Sequence, residues 1–130
     1  MIRRFHEARR DGIDTVTVWG TGTPRREFLY ADDLAEGCLH LLKQAAPPSV
    51  VNIGYGSDIT ILELAKEIAE VVGFDGQITF DESKPDGTPR KLMDSSKIQS
   101  LGWRAATTLR EGLRLAYEDF QRQPKEDYIP

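Results

Sequence analysis

The sequence has few of the features that mark several common protein classes. Its one cysteine, Cys38, excludes an intramolecular disulfide. No apolar run approaches the ~20 residues that a membrane-spanning helix needs, and no internal repeat or low-complexity tract occurs. The two histidines, His6 and His40, lack metal-ligand spacing with Cys38. The sequence therefore offers neither a disulfide scaffold, nor a transmembrane helix, nor a zinc site.

Motifs for catalysis are also scarce. There is no G-x-S-x-G nucleophile elbow, and none of the four tyrosines has a lysine four residues later. Gly20 and Gly22 form a G-x-G pair, but no third glycine follows and the next segment is extended, which argues against a dinucleotide-binding loop. We therefore expect no catalytic residue, no cofactor-binding residue and no metal ligand in this chain.

Charge and length set the remaining limits. The 130 residues include 17 Lys and Arg against 21 Asp and Glu, and this acidic balance argues against a nucleic-acid partner. An anion site would have to be local, built from a few clustered cations. The length suits one domain with its own core. Without a signal peptide or a disulfide, the cytoplasm is the expected compartment.

The first third of the chain predicts a helix, a strand and a second helix. The first helix ends near Gly12, and a strand covers residues 15–19. A glycine-rich turn and a short extended segment lead into a helix capped by Asp32 or Asp33. The spacing of its apolar residues predicts that one stripe is buried and that Cys38 belongs to the core; the stripe consists of Leu34, Cys38, Leu41 and Leu42.

The remainder alternates in the same way, which indicates an α/β fold. Residues 49–54 (SVVNIG) are typical of a strand buried on both faces, although few strands of this chain could flank it. Capping boxes at Thr60 with Glu63 and at Thr108 with Glu111 begin two helices, the second buried through Leu109, Leu113, Ala116 and Phe120. A strand at 77–81 and a short helix from about Ser95 to Gly102 lie between them. We expect one substrate-binding domain over residues 1–122 and a frayed tail over 123–130.

Three segments could bind a ligand. In WGTGTPRREF, Trp19 offers a stacking face and Arg25 and Arg26 offer guanidinium groups suited to phosphate, although a plain turn is the simpler interpretation. In KPDGTPRKLMD (84–94), a Pro-Asp-Gly turn would present charged side chains from a fixed frame, although a solvated loop is the alternative. The arginines of the first helix would usually form a solvated face.

Two longer segments resemble a known enzyme family. GTPRREFLYADDLAEGCLHLL and VNIGYGSDITILELAKEIAEVVG resemble the C-terminal half of an extended short-chain dehydrogenase/reductase that acts on nucleotide-sugars. Within that group, SKPDGTPRKLMD, RRFHEA and VWGTGTPRREF resemble the GDP-L-fucose synthase family, NADPH-dependent epimerase/reductases of GDP-4-keto-6-deoxymannose. The resemblance covers residues 3–120. It implies epimerisation at C3 and C5 of the keto-sugar, then hydride transfer from NADPH to C4.

The resemblance also implies roles for particular residues. It implies that a GDP-sugar is bound by six side chains of this sequence, which are Arg4, Trp19, Arg26, Asp86, Arg90 and Lys91. The chemistry agrees, because cations suit a pyrophosphate, an indole suits a flat face and a carboxylate can accept hydrogen bonds from guanine or ribose.

The family's N-terminal Rossmann half, with its glycine fingerprint, Y-x-x-x-K pair and catalytic Cys and His, has no counterpart here. We therefore expect a substrate-binding part that binds no NADPH and has no turnover alone. Two alternatives stay open: part of another nucleotide-sugar epimerase or dehydratase, and a stand-alone binding or interaction module. The strand-like 49–54 segment predicts a homo-oligomer or another association through an exposed strand.

Overall fold

The computed structural model describes residues 1–122, so the predicted frayed tail lies outside the described residues. These residues form an α/β structure, as predicted. Its elements in chain order are α1 Ile2–Asp11, β1 Thr15–Trp19, β2 Arg25–Glu27, α2 Ala31–Leu42, β3 Asp58–Thr60, α3 Ile61–Val72, β4 Gln77–Asp81, β5 Arg90–Lys91, α4 Ser96–Ser100 and α5 Leu109–Arg122. Within the described range, no helix is long and apolar enough to cross a bilayer.

The main core lies between a parallel strand pair and three helices. β1 pairs with β4 from Thr15↔Gln77 to Trp19↔Asp81, α1 and α3 pack together, and α5 packs on α3. Alternation along β1 buries Val16 and Val18 against the helices. The buried cluster contains Phe5, Ala8, Val16, Val18, Leu64, Ala65, Ile68, Ala69, Val72, Phe74 and Tyr117.

Local signals place the ends of α1 and α3 and the start of α5 where the sequence predicts them. Thr60 and Glu63 form the capping box of α3, and their hydrogen bonds hold the pKa of the Glu63 carboxyl below its usual range. Gly12 and Gly73 end α1 and α3 in the left-handed conformation. At the start of α5 the Glu111 amide donates to Thr108 Oγ1 (3.3 Å). Ala116 is exposed and Tyr117 is buried instead, so the predicted buried face of α5 is wrong at that one position.

A second, three-stranded sheet has the order β3-β2-β5. β2 runs antiparallel to β3 and parallel to β5. The strand β5 was not predicted, because a two-residue strand has no periodicity of its own and exists only through its partner. This small sheet fixes the 84–94 loop against the turn between β1 and β2.

The prediction for α2 is wrong in two respects. Tyr30, and not Asp32 or Asp33, occupies the N-cap, and Asp33 is buried while accepting hydrogen bonds from the amide (2.9 Å) and hydroxyl (3.1 Å) of Thr107. The apolar stripe is not core: Cys38 is exposed, and the exposed fractions of Leu34 and Leu42 are 44% and 79%. α2 instead packs through Gly37, where a Cβ would come within 3.1 Å of the Trp103 ring.

Residues 49–54 form no strand in the structure, so that prediction is also wrong. A strand needs a neighbouring strand to pair with, and neither sheet of the described chain includes this segment. Val50 is 77% exposed, whereas the Asn52 side chain donates to Asp94 O (3.1 Å) and links the segment to the end of the 84–94 loop.

Candidate functional site

The turn between β1 and β2 holds the 84–94 loop through Asp86. One carboxylate oxygen of Asp86 accepts the Thr21 amide and the other accepts the Thr21 hydroxyl, both at 2.7 Å. Asp86 therefore uses both oxygens within the protein. The predicted Pro-Asp-Gly frame exists, with Gly87 at φ +74°, but it aims the carboxylate at the turn.

This arrangement decides whether the G-x-G pair can bind a dinucleotide. A Cβ at Gly20 would lie 2.2 Å from Asp86 Oδ1, so the carboxylate already fills the space that a phosphate would need. No helix begins after Gly22, and β2 follows instead. These residues do not fit a dinucleotide pyrophosphate.

Asp58 is the buried centre of an ion cluster beside the loop, whose two arginines are partly exposed. Its side chain is 3% exposed; Oδ1 accepts from Arg25 Nε (2.8 Å) and Oδ2 from Arg90 Nε. Arg25 also donates to Asp58 O (2.8 Å). These hydrogen bonds, Arg90 first and Arg25 second, hold the pKa of the Asp58 carboxyl below its usual range. Asp58 thus joins β3, β2 and β5.

Glu27 makes a third carboxylate contact to the same loop. Its side chain accepts the amides of Met93 (3.1 Å) and Gly56 (2.6 Å). Together with Asp58 and the Asp86–Thr21 contact, it fixes the loop near its beginning, middle and end. The loop is therefore preorganised by the protein, which is the property that a binding loop needs to avoid an ordering cost.

Arg26 and Lys91 lie opposite each other on β2 and β5. Both border a cleft of about 460 Å³, whose other lining residues are Glu27, Leu92 and Met93. Arg26 Nη1 donates a hydrogen bond to Arg25 O (2.7 Å). Within residues 1–122, neither Arg26 nor Lys91 forms an ion pair. Like charges directly opposite on neighbouring strands repel, so this pair would be stabilised by an anion.

Trp19 stands at the end of β1 beside the same loop. Its side chain is 67% exposed, and the Lys84 ammonium lies 5.8 Å from the centre of the ring. An exposed indole held at the end of a paired strand offers a rigid stacking surface. The 84–94 loop therefore begins beside Trp19, contacts Thr21 through Asp86 and then reaches the Arg26–Lys91 cleft.

Arg4 lies apart from that cleft. Its guanidinium donates to Thr17 O (2.7 Å) on β1, and Arg4 is not among the residues that line the cleft. The structure thus brings together five of the six predicted residues around the 84–94 loop, with Arg90 turned to Asp58 and Asp86 turned to Thr21, and leaves Arg4 on the neighbouring helix.

Sequence reasoning missed three residues that hold the loop: Thr21, Glu27 and Asp58. Each acts on a partner more than 30 positions away, and local patterns carry no signal for such contacts. Within residues 1–122, no cluster of three or more His, Cys, Asp and Glu side chains could hold a metal ion.

Comparison with known proteins gives consistent matches. The sequence model of the NAD dependent epimerase/dehydratase family matches residues 1–54. GDP-L-fucose synthase 1 of Arabidopsis thaliana is 55% identical over 118 residues, which is 91% of this chain and 36% of that protein. The chain thus spans little more than a third of the length of this relative.

Solved structures agree with the sequence matches. The NADP-bound GDP-mannoheptose C4 reductase from Campylobacter jejuni is 35% identical, with a TM-score of 0.79 over 92% of this chain and 43% of that one. The UDP-glucose 4-epimerase of Thermotoga maritima is 29% identical, with a TM-score of 0.78 over 93% and 39%. The chain is therefore similar to one part of a GDP-L-fucose synthase, with the partial fold of an extended short-chain dehydrogenase/reductase.

Proposed function

We propose that this chain is the C-terminal, GDP-sugar-binding part of a GDP-L-fucose synthase-like epimerase/reductase. The observation that carries the proposal is the Arg26–Lys91 pair, two cations in register on adjacent strands that share a cleft and have no acidic partner within residues 1–122. A diphosphate supplies the missing negative charge. The 55% identity to a protein named GDP-L-fucose synthase supports the choice of nucleotide.

The other predicted residues keep proposed roles around this pair. Trp19 would stack against the base or sugar. Arg4, Asp86 and Arg90 stay in the proposal as ligand contacts, although in the structure they bind Thr17, Thr21 and Asp58 respectively. A bound nucleotide would have to share these side chains with those partners.

For the whole protein we propose C3 and C5 epimerisation and C4 reduction of GDP-4-keto-6-deoxymannose in the cytoplasm. NADPH, when bound to the complete enzyme, would supply the hydride. The chain described here would bind and orient the nucleotide-sugar, so that its contribution is positioning. The Asp86-filled turn at Gly20 supports a cofactor site outside these residues.

Calorimetric titration with GDP tests the binding proposal. We expect the unmodified chain to bind GDP weakly, and Arg26→Ala or Lys91→Ala to raise Kd roughly tenfold, because each removes one charge-assisted contact to phosphate. The matched control is Arg110→Ala, which removes an arginine that pairs with Glu67 and Glu70 and does not line the cleft.

Equal Kd values for all of these proteins would contradict the site. Two alternatives have their own outcomes in the same experiment. Tighter binding of UDP than GDP would favour a sibling nucleotide-sugar epimerase or dehydratase, consistent with the structural match to a UDP-glucose 4-epimerase. Absence of binding to either nucleotide would favour an interaction module.

A further inference from the structure

We propose that Asp58 is a positioning residue of this site: it holds Arg90 and Arg25, and thereby keeps Lys91 beside Arg26. The proposal rests on the proposed function, because it concerns the two cations to which that function assigns the diphosphate. It assigns Asp58 no contact with the ligand.

The strands β2 and β5 carry four cations in their two-residue ladder. The register of β2 and β5 places Arg25 opposite Arg90 and Arg26 opposite Lys91. Two like-charged pairs therefore face each other across a ladder of two residues, and each pair works against strand pairing. Without compensation, β5 would tend to leave β2.

Asp58 compensates one of the two pairs. Its carboxylate lies between the guanidinium groups of Arg25 and Arg90, each of which contacts a different oxygen through Nε. The Asp58 side chain is 3% exposed, whereas the Arg25 and Arg90 side chains are 40% and 60% exposed, so the two guanidinium groups cover the carboxylate from the solvent side. The like-charged pair Arg25/Arg90 thus becomes a bridge that fastens β5 to β2 and β3.

The second pair stays uncompensated because consecutive residues of a strand point to opposite faces. Arg25 and Arg90 turn toward Asp58, whereas Arg26 and Lys91, the alternate residues of the two strands, both border the cleft. Asp58 can therefore hold the strand without neutralising the cations that the ligand needs. This division gives Arg90 a positioning role in addition to its proposed ligand contact, and leaves Lys91 to the ligand alone.

Other contacts to β5 are few. The Arg25 amide donates to Pro89 O (2.8 Å), and Glu27 accepts the Met93 amide (3.1 Å) two residues after the strand. Of the two β5 side chains, Arg90 is the one that forms a hydrogen bond or ion pair within the described residues. Loss of Asp58 should therefore act locally, on the placement of Lys91.

A double-mutant cycle with GDP as the titrant tests the proposal on the full 130-residue chain. We expect Asp58→Asn to raise the Kd for GDP roughly 3- to 30-fold, and to change it less than about twofold when Lys91→Ala is already present. Glu70→Gln, which breaks a carboxylate–arginine pair between α3 and α5, is the matched control and should leave Kd unchanged in both backgrounds.

A second variant and a second measurement keep the test decisive. Arg90→Gln removes the same bridge from an exposed position, so in a measurement without ligand it replaces Asp58→Asn if that variant does not fold. For either variant we expect faster hydrogen exchange at the Arg25 amide, whose bond to Pro89 O joins β2 to β5. This measurement needs no ligand.

The outcomes separate the two proposals. No GDP binding by the unmodified chain overturns the proposed function and, with it, this role of Asp58. GDP binding that Asp58→Asn leaves unchanged, or weakens equally with and without Lys91, overturns the positioning role alone. Unchanged exchange at the Arg25 amide in a folded variant overturns it as well.

Discussion

Two features at Gly20 depend on the absence of a Cβ: the positive φ of its backbone and the close approach of the Asp86 side chain. The residue has φ +85°, and a Cβ would lie 2.2 Å from Asp86 Oδ1. We predict that Gly20→Ala lowers the free energy of unfolding by about 2–4 kcal/mol, since it strains the turn and displaces Asp86 from Thr21. Urea denaturation measures this change.

Gly12→Ala is the matched control for that substitution. Gly12 has φ +66° but open space around the added carbon, so only the backbone strain applies and the expected loss is about 1 kcal/mol. Equal losses for the two substitutions would contradict the close contact between Asp86 and the turn.

Asp58 makes the stability depend on pH. Because Arg90 and Arg25 lower its pKa in the folded chain, the unfolded chain binds the proton more readily, and the stabilisation is present above the unfolded value of about 4. We predict that the difference in unfolding free energy between the unmodified chain and Asp58→Asn shrinks as the pH falls from about 5 to 3. Denaturation at several pH values checks this.

The exposed carboxylate Glu82 provides the comparison for the pH experiment. Glu82 has no hydrogen bond or ion pair within residues 1–122, so Glu82→Gln should track the unmodified chain across that range. If the difference in unfolding free energy between the unmodified chain and Asp58→Asn were the same at every pH, the substitution would act through packing and not through charge.

At the scale of elements, α2 exposes a face that its sequence suits for burial. Leu34, Leu39 and Leu42 are 44%, 54% and 79% exposed, and Val50 nearby in sequence is 77% exposed. We predict that the chain self-associates at micromolar concentrations and that Leu42→Asp shifts it toward monomer, because the substitution places a charge in the apolar face. Sedimentation velocity measures the shift.

The control for this face is Ile13→Asp. Ile13 is a 52% exposed apolar residue between α1 and β1, away from α2, so its substitution should leave the association unchanged. Equal effects of the two substitutions would indicate nonspecific adhesion, and a monomeric unmodified chain would refute the prediction.

The elements that could be predicted from the sequence are those whose signals are local. The Thr60–Glu63 box and the glycines at positions 12 and 73 act within a few residues, and the structure confirms them. Residues 49–54 and Cys38 depend on what covers them, which no local pattern reports. The same distinction applies to the site. The composition of the sequence indicated Trp19 and the 84–94 loop, whereas the role of Asp58 follows only from its contacts with Arg25 and Arg90 in the structure.

At the scale of the whole molecule, the chain represents 36% of the length of its Arabidopsis relative. We predict no turnover by the 130-residue chain with NADPH and GDP-4-keto-6-deoxymannose, because its sequence contains no Y-x-x-x-K pair and no glycine-rich cofactor fingerprint. Loss of NADPH absorbance, followed against a full-length relative as positive control, measures turnover. Oxidation of NADPH above the background rate would refute this prediction.

The three carboxylate contacts to the 84–94 loop also limit how the molecule can be re-engineered. Asp86, Arg90 and Met93 are held by Thr21, Asp58 and Glu27, which lie in a turn and two separate strands. Grafting the loop by itself onto a sibling scaffold would transfer its charges but not its conformation. A chimaera meant to exchange nucleotide preference therefore has to carry Thr21, Glu27 and Asp58 together with the loop.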